Sequence, residues 1–167
     1  MLKKLFLTMS LLGLFTVCYG QGTTNPLPAM PQGKLLRVEY AYNGMRIPEY
    51  SDFDLKRDVE TGKSEFNFRH YNTQVSHDGA PDSLFTEARR IIEEERMYEY
   101  GDSYHLPAEL EASMLDGFSW HFDAYFENGV HISSHGRHVL PEGKGLHSLE
   151  NLLYKAANDI IEATLDR

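Results

Sequence analysis

The sequence predicts a two-layer α+β domain, in which an antiparallel sheet of about five strands carries two helices on one face. Apolar and polar side chains alternate along several short segments, most clearly over residues 118–134. Such alternation is typical of strands with one buried face. Two longer segments repeat their apolar residues at helical spacing. Their order is strand, hairpin, helix, hairpin, helix, and the sheet face without helices is expected to be polar.

Residues 118–134 form the central hairpin of this predicted sheet. Every second position of its first strand is apolar: Phe118, Trp120, Phe122, Ala124 and Phe126. A two-residue Asn-Gly loop would mix the two faces, whereas a three-residue loop over residues 127–129 pairs Phe122 with Ser134 on the inner face. We predict the three-residue loop, with Gly129 in the left-handed conformation of a type I turn followed by a G1 bulge.

Residues 34–42 are predicted to form the first strand, and residues 53–70 a second hairpin. The inner face of the first strand is expected to hold alternate residues: Leu36, Val38, Tyr40 and Tyr42. The four-residue connection of the hairpin sets three cross-strand pairs, namely Leu55 with Phe66, Phe53 with Phe68 and, on the outer face, Lys56 with Glu65.

Two helices are predicted. After a polar segment, residues 71–80, which is expected to be irregular, Pro81 marks a helix start with Asp82 or Ser83 as its cap. Its core-facing side holds Leu84, Ala88, Ile91 and Ile92. The final helix is expected to be capped by Ser148 and to bury a longer stripe: Leu149, Leu152, Leu153, Ala156, Ala157, Ile160 and Ile161.

The connection over residues 98–116 is long enough to be functional or to contain structure of its own. Pro107 is a candidate helix start. Four apolar residues are expected to anchor the segment to the core: Leu106, Leu110, Met114 and Leu115. Four tyrosines have no place in the predicted core and are candidates for a binding surface: Tyr98, Tyr100, Tyr104 and Tyr125.

Residues 1–20 are predicted to be a signal peptide. Lys3 and Lys4 precede an uncharged apolar run, residues 5–17, that is too short to span a bilayer. Cleavage is expected near Gly20. The alternative is cleavage before Cys18 with a lipid attached to it, which the bulky residues just upstream disfavour.

The remaining sequence is predicted to contain a Pro-rich tether, residues 21–33, and one domain, residues 34–167. Cleavage near residue 20 removes the only cysteine, so apolar packing alone is expected to hold the domain together. The net charge of −9 becomes more negative without the two N-terminal lysines. This acidity disfavours nucleic acid and anionic lipid as partners, and no further apolar run is long enough to span a membrane.

Few motifs indicate chemistry. The sequence has no Gly-rich phosphate loop, nucleophile elbow or cysteine metal motif, so no cofactor is predicted. The hairpin register sets His121 opposite His135 on the outer face, with Asp123 diagonal to it; opposed side chains lie about 4.5–5.5 Å apart at Cβ. These three residues are the candidate metal ligands. Ser134 and His135 are adjacent and therefore point to opposite faces, which argues against a catalytic dyad.

Four short motifs follow one another in the second half of the chain: Leu115-Asp116-Gly117-Phe118-Ser119-Trp120, Asn128-Gly129, Ser133-Ser134-x-Gly136, and Pro141 before a Leu-rich helix. In these motifs the chain resembles a group of small exported proteins of unknown function from Bacteroidetes-type bacteria. The resemblance spans roughly residues 34–165. It implies a cell-envelope location and one α+β domain, but no activity and no catalytic residue.

The function expected from the sequence is therefore a non-catalytic binding or interaction module of the cell envelope, with a protein or a small molecule as its partner. Two alternatives remain open. One is a metal-dependent or hydrolytic enzyme that uses the histidines and aspartate of the central hairpin, and the other is a structural component of an envelope assembly.

The first testable prediction concerns processing. The mature protein is expected to begin near Gln21 when it is recovered from the envelope fraction of the cell that makes it, and N-terminal sequencing checks this. A mature chain that begins with acylated Cys18 would instead establish the lipoprotein alternative.

Overall fold

The computed structural model describes residues 30–44, 50–70, 73–114 and 117–165. Within them lie a seven-stranded mixed sheet and three α-helices, which confirms the predicted α+β class. The strands are β1 (Leu35–Gly44), β2 (Tyr50–Arg57), β3 (Ser64–His70), β4 (Thr73–Asp78), β5 (Ser103–His105), β6 (Phe118–Phe126) and β7 (His131–Arg137). The helices are α1 (Asp82–Glu94), α2 (Ala108–Glu111) and α3 (Gly145–Leu165), and a 3₁₀ turn spans Met97–Glu99. The predicted signal peptide and most of the predicted tether lie outside the described residues.

The sheet is larger than the sequence predicted. Its order is β4-β3-β2-β1-β6-β7-β5, and all neighbouring strands are antiparallel except β5, which runs parallel to β7. The expected irregular segment contains β4, and the long connection contains β5 and α2. Strand β4 was missed because Val75 is its only apolar residue, so its own sequence shows no alternation and its pairing with β3 defines it.

The core lies between one face of the sheet and the helices α1 and α3. The sheet contributes mainly aromatic side chains: Phe53, Phe66, Phe68, Trp120, Phe122 and Phe126. The helices contribute Leu84, Phe85, Ala88, Ile91 and Ile92 from α1, and Leu149, Leu153 and Ala157 from α3. Tyr154 of α3 packs edge-to-face on Phe53 with ring centroids 5.0 Å apart. Burial of this apolar surface is the main favourable term in folding.

Both predicted hairpin registers are confirmed. In the central hairpin Phe122 lies opposite Ser134, and the Phe126 N–H donates to the Val130 carbonyl at 2.9 Å. Gly129 has φ +81°, as the G1 bulge requires. In the second hairpin the predicted pairs all form, and the outer pair of Lys56 and Glu65 is an ion pair of 2.8 Å.

The first strand departs from simple alternation. The β1–β6 register shifts at a bulge between Leu35 and Arg37, so that Leu35 lies opposite Phe126 and is buried. Leu36, which the sequence placed on the inner face, is only partly buried. A bulge adds one residue to one strand and thereby changes which side chain faces inward.

Trp120 explains why a glycine stands at position 136. The two residues lie opposite each other on β6 and β7, and the indole Nε1 donates to the Val139 carbonyl at 2.7 Å. A Cβ on Gly136 would lie 2.4 Å from that same nitrogen, closer than atoms can approach. The indole also packs on Tyr104 of β5, with ring centroids 5.7 Å apart. The side of Trp120 toward the sheet edge is therefore covered by β5 and by the residues after β7.

The helix starts differ from the predictions. Pro81 is the N-cap of α1, and its side chain has no acceptor for a capping hydrogen bond. Asp82, the first helical residue, instead pairs with Arg57 at 2.7 Å. Helix α3 begins at Gly145 rather than after Ser148, which lies inside it. A Cβ on Gly145 would lie 2.5 Å from the Tyr100 hydroxyl, so the helix start packs closely against the long connection.

The long connection is anchored to the core by Met97, the residue just before it, which is fully buried. Two of the four predicted anchors do not have this role, since Leu110 and Met114 are 55% and 45% exposed. Leu106 is partly buried, and Leu115 lies outside the described residues. Methionine can fill an irregular gap between elements, here between the end of α1 and the start of α3.

The second prediction compares the two faces of β6. Trp120 is 3% exposed, so Trp120→Ala is expected to cost about 3–5 kcal/mol. That is a large part of the roughly 5–15 kcal/mol available to a domain. Tyr125→Ala, on the opposite face of the same strand, is expected to cost much less. Thermal unfolding of both variants checks this, and equal losses of melting temperature would mean that both sheet faces are buried.

Candidate functional site on the open face of the sheet

The candidate site lies on the open face, defined as the sheet face opposite α1 and α3. Most of its side chains are polar, and at its margin Glu111 of the short helix α2 lies 3.5 Å from Arg137. Arg37, near the start of the middle strand β1, pairs with Asp54 at 2.8 Å. Four histidines from β5, β6 and β7 share this face: His105, His121, His131 and His135.

Asp123 is the focus of this surface. It belongs to the open face, yet it is only 8% exposed. The Nε2 atom of His131 lies 2.7 Å from one of its oxygens, and His121 contacts the other through its own Nε2. Tyr125 stacks on the His131 ring, with centroids 4.1 Å apart and planes 9° from parallel. The carboxylate is thus held between two imidazoles, one of which is itself fixed by an aromatic neighbour.

The pKa of Asp123 reflects this environment. Burial alone would raise the pKa of its carboxyl, because an apolar environment disfavours the charged form. Hydrogen bonds from Ser133 and His131, together with the proximity of His121, outweigh that effect and hold the pKa below its usual value. Asp123 is therefore an anion at neutral pH.

Glu39 completes a group that the sequence did not reveal. It lies opposite Asp123 in the β1–β6 register. One potential ligand atom from each of Glu39, His121 and Asp123 lies within 4.8 Å of the other two. Alternation places Glu39 on the outward side of the first strand, but nothing in the sequence indicates that β1 pairs with β6.

His135 is the third ligand candidate from the sequence. It lies opposite His121, as the predicted register requires. Its ring contacts His105 of β5, with centroids 5.8 Å apart and planes at 66°. The structure thus brings two of the three candidates, His121 and Asp123, into contact and places the third one strand away. Metal coordination by His135 stays a prediction.

The neighbouring serines differ in what they can do. Ser134 is fully buried on the inner face, and its hydroxyl donates to the Gly101 carbonyl at 2.7 Å. It is therefore a packing residue, as predicted, and not an accessible nucleophile. Ser133 is on the open face and hydrogen-bonds to Asp123. The chemistry best matched to this arrangement is the binding of a cation or of a polar ligand.

Three of the four tyrosines proposed as a binding surface pack against the core instead. Tyr98, Tyr100 and Tyr104 are partly buried, and Tyr100 lies edge-on to Phe122 with centroids 6.5 Å apart. Their burial could not be predicted, because these residues belong to a connection without hydrophobic periodicity. Tyr125 is the one member of the set on the open face.

A second polar cluster lies beneath α3. The hydroxyl of Ser51 is 2.6 Å from the Tyr154 hydroxyl and donates to Glu150 at 3.1 Å. Burial raises the pKa of Glu150, although hydrogen bonds from Ser51 and Tyr40 partly oppose the shift. Burial also raises the pKa of Tyr40, and the nearby charge of Glu150 adds to this. The cluster joins α3 to β1 and β2, and we interpret its role as structural.

Compared with protein-family models, with curated proteins and with solved structures, the chain matches none of them. Among the described residues, no helix has the length and apolar character needed to cross a membrane.

The third prediction tests the charge of Glu150. Because its pKa is raised in the folded state, the folded protein binds more protons than the unfolded chain between the unfolded and folded pKa values. This group therefore lowers stability as pH rises through that window. Glu150→Gln is expected to melt above the wild type at pH 7, by a margin that shrinks toward pH 4.

The control for this comparison is Glu162→Gln, an exposed position on the same helix, where no such pH-dependent difference is expected. Melting curves across the pH range provide the measurement. A Glu150→Gln variant less stable than the wild type at pH 7 would show that the ionised carboxylate stabilises the fold.

Proposed function

We propose that this chain is an exported, non-catalytic binding module of the cell envelope and that it binds its partner through the open face. The observation that carries the proposal is the state of Asp123, a nearly buried carboxylate on the side of the sheet that lacks α1 and α3. A surface that only keeps a protein soluble needs no such fixed arrangement of side chains. A binding surface benefits from it, because rigid groups lose less entropy when a partner binds.

The composition of the face also supports binding. Tyrosine and arginine are enriched among the residues that dominate binding energy. Here Tyr125 and Arg37 lie on neighbouring strands, opposite each other in the β1–β6 register. Arg37 is oriented by Asp54, to which it donates two hydrogen bonds of 2.8 and 3.2 Å. The partner expected for this mixed aromatic and charged surface is a protein or a small polar molecule.

Binding is favoured over serine-dependent hydrolysis because neither Ser133 nor Ser134 is arranged as a free nucleophile. Ser134 is buried, and Ser133 hydrogen-bonds to Asp123 itself. A nucleophilic serine needs a base that accepts its proton and donors for the developing oxyanion. The proposed envelope location depends on the N-terminal sequence pattern and on the resemblance described above.

The fourth prediction tests the binding surface by photocrosslinking. A p-benzoylphenylalanine that replaces Tyr125 on the open face is expected to form a covalent adduct when the protein is irradiated in the cell that makes it. Intact-mass spectrometry detects either a protein or a small-molecule adduct.

The matched control is the same replacement at Glu162, an exposed position on α3. Adducts should form from the Tyr125 position and be much weaker from the Glu162 position. Equal yields from both positions, or adducts from the helix position alone, would contradict the proposal that the open face is the binding surface.

A further inference from the structure

We propose that Glu39, His121 and Asp123 form a binding site for a divalent transition-metal ion, with Zn²⁺ as the ion that fits best. The site goes beyond the binding function proposed above and does not depend on it. Compared with the ligand set predicted from the sequence, Glu39 of β1 takes the place of His135. It joins the two central strands of the sheet on their open side.

The spacing of the three groups suits one ion. Their potential ligand atoms all lie within 4.8 Å of one another. A tetrahedral Zn²⁺ with bonds of about 2.0–2.1 Å holds its ligands roughly 3.3 Å apart. Glu39 and His121 are only partly buried, so small side-chain rotations can bring them to that separation without moving the strands. The backbones belong to paired strands, which hold the ligands more firmly than loops would.

The charge pattern gives an independent reason for a cation. Asp54, Glu39 and Asp123 stand directly opposite one another across β2, β1 and β6. Like charges at opposed positions destabilise a sheet. Arg37 contacts both Asp54 and Glu39, each at 2.8 Å. Asp123 has no comparable partner, since no lysine or arginine in the described ranges forms an ion pair with it. A metal ion between Glu39 and Asp123 would offset the repulsion between these two carboxylates.

The ligand set determines the class of ion. One imidazole and two carboxylates match the nitrogen and oxygen ligands of three-residue zinc sites, which leave a fourth position for water or another ligand. Ca²⁺ prefers six to eight oxygens, and Mg²⁺ retains most of its water. Residues that hydrogen-bond to one of the ligands are also present. His131 and Ser133 hydrogen-bond to Asp123, and such outer partners orient metal-binding carboxylates.

Isothermal titration with ZnCl₂ tests the site. The purified protein is treated with EDTA and dialysed before the titration. We expect one equivalent of Zn²⁺ to bind, and an excess of Mg²⁺ not to prevent it. The variants Glu39→Gln, His121→Ala and Asp123→Asn are each expected to weaken binding by about tenfold or more. His147→Ala removes an exposed histidine from α3, on the other side of the sheet, and should leave the affinity unchanged.

Circular dichroism of each metal-free variant establishes that it is folded, so that lost binding is not mistaken for lost structure. Absence of Zn²⁺ binding in the folded wild type would overturn the proposal. Equal losses in His147→Ala would do the same, because they would indicate nonspecific histidine binding. A loss in His135→Ala with none in Glu39→Gln would overturn the assignment of Glu39. Zinc binding without a crosslink at Tyr125 would support the metal site and refute the proposed binding surface. A crosslink at Tyr125 without zinc binding would support the binding surface and refute the metal site.

Discussion

The antiparallel pairing of β1 with β6 is the interaction on which the rest of the structure depends. It places Val38 opposite Ala124 and Tyr40 opposite Phe122 on the helix side. The same pairing places Glu39 opposite Asp123 on the open side. A slip of one residue would turn the apolar set outward and the carboxylates inward, so burial of the core fixes the arrangement of the candidate site as well. The alignment of Asp54, Glu39 and Asp123 across the sheet is thus a consequence of how the aromatic core packs.

The sequence predicted local features well and long-range ones poorly, for a physical reason. Both hairpin registers follow from alternation and loop length, which are properties of neighbouring residues. Strand β5 could not be predicted, since its three residues gain their conformation from pairing with β7. Met97 was overlooked because a single methionine between charged and aromatic residues shows no periodicity, although it fills the space beside the start of α3.

The same reasoning predicts the part of the candidate site that lies in the central hairpin, but not the part that lies in β1. Alternation within the central hairpin put His121, Asp123 and His135 on one face, and the structure agrees. Glu39 was out of reach because a polar residue on an isolated strand carries no sign of which strand lies beside it. His131 shares this face, but its contact with Asp123 is diagonal across the strands, and its ring is stacked on Tyr125.

The order of strands along the chain also has a consequence for how the molecule folds. The adjacent strands β1 and β6 are separated in the sequence by β2, β3, β4, α1, β5 and α2, whereas β2–β3–β4 and β6–β7 join strands that are close in sequence. During synthesis from the N-terminus, β1 and the β2–β3–β4 hairpins are made before β6, so one edge of β1 stays unpaired until β6 follows. Closure of such a large loop makes folding slow. Until it occurs, the unpaired edge of β1 is open to pairing with other chains.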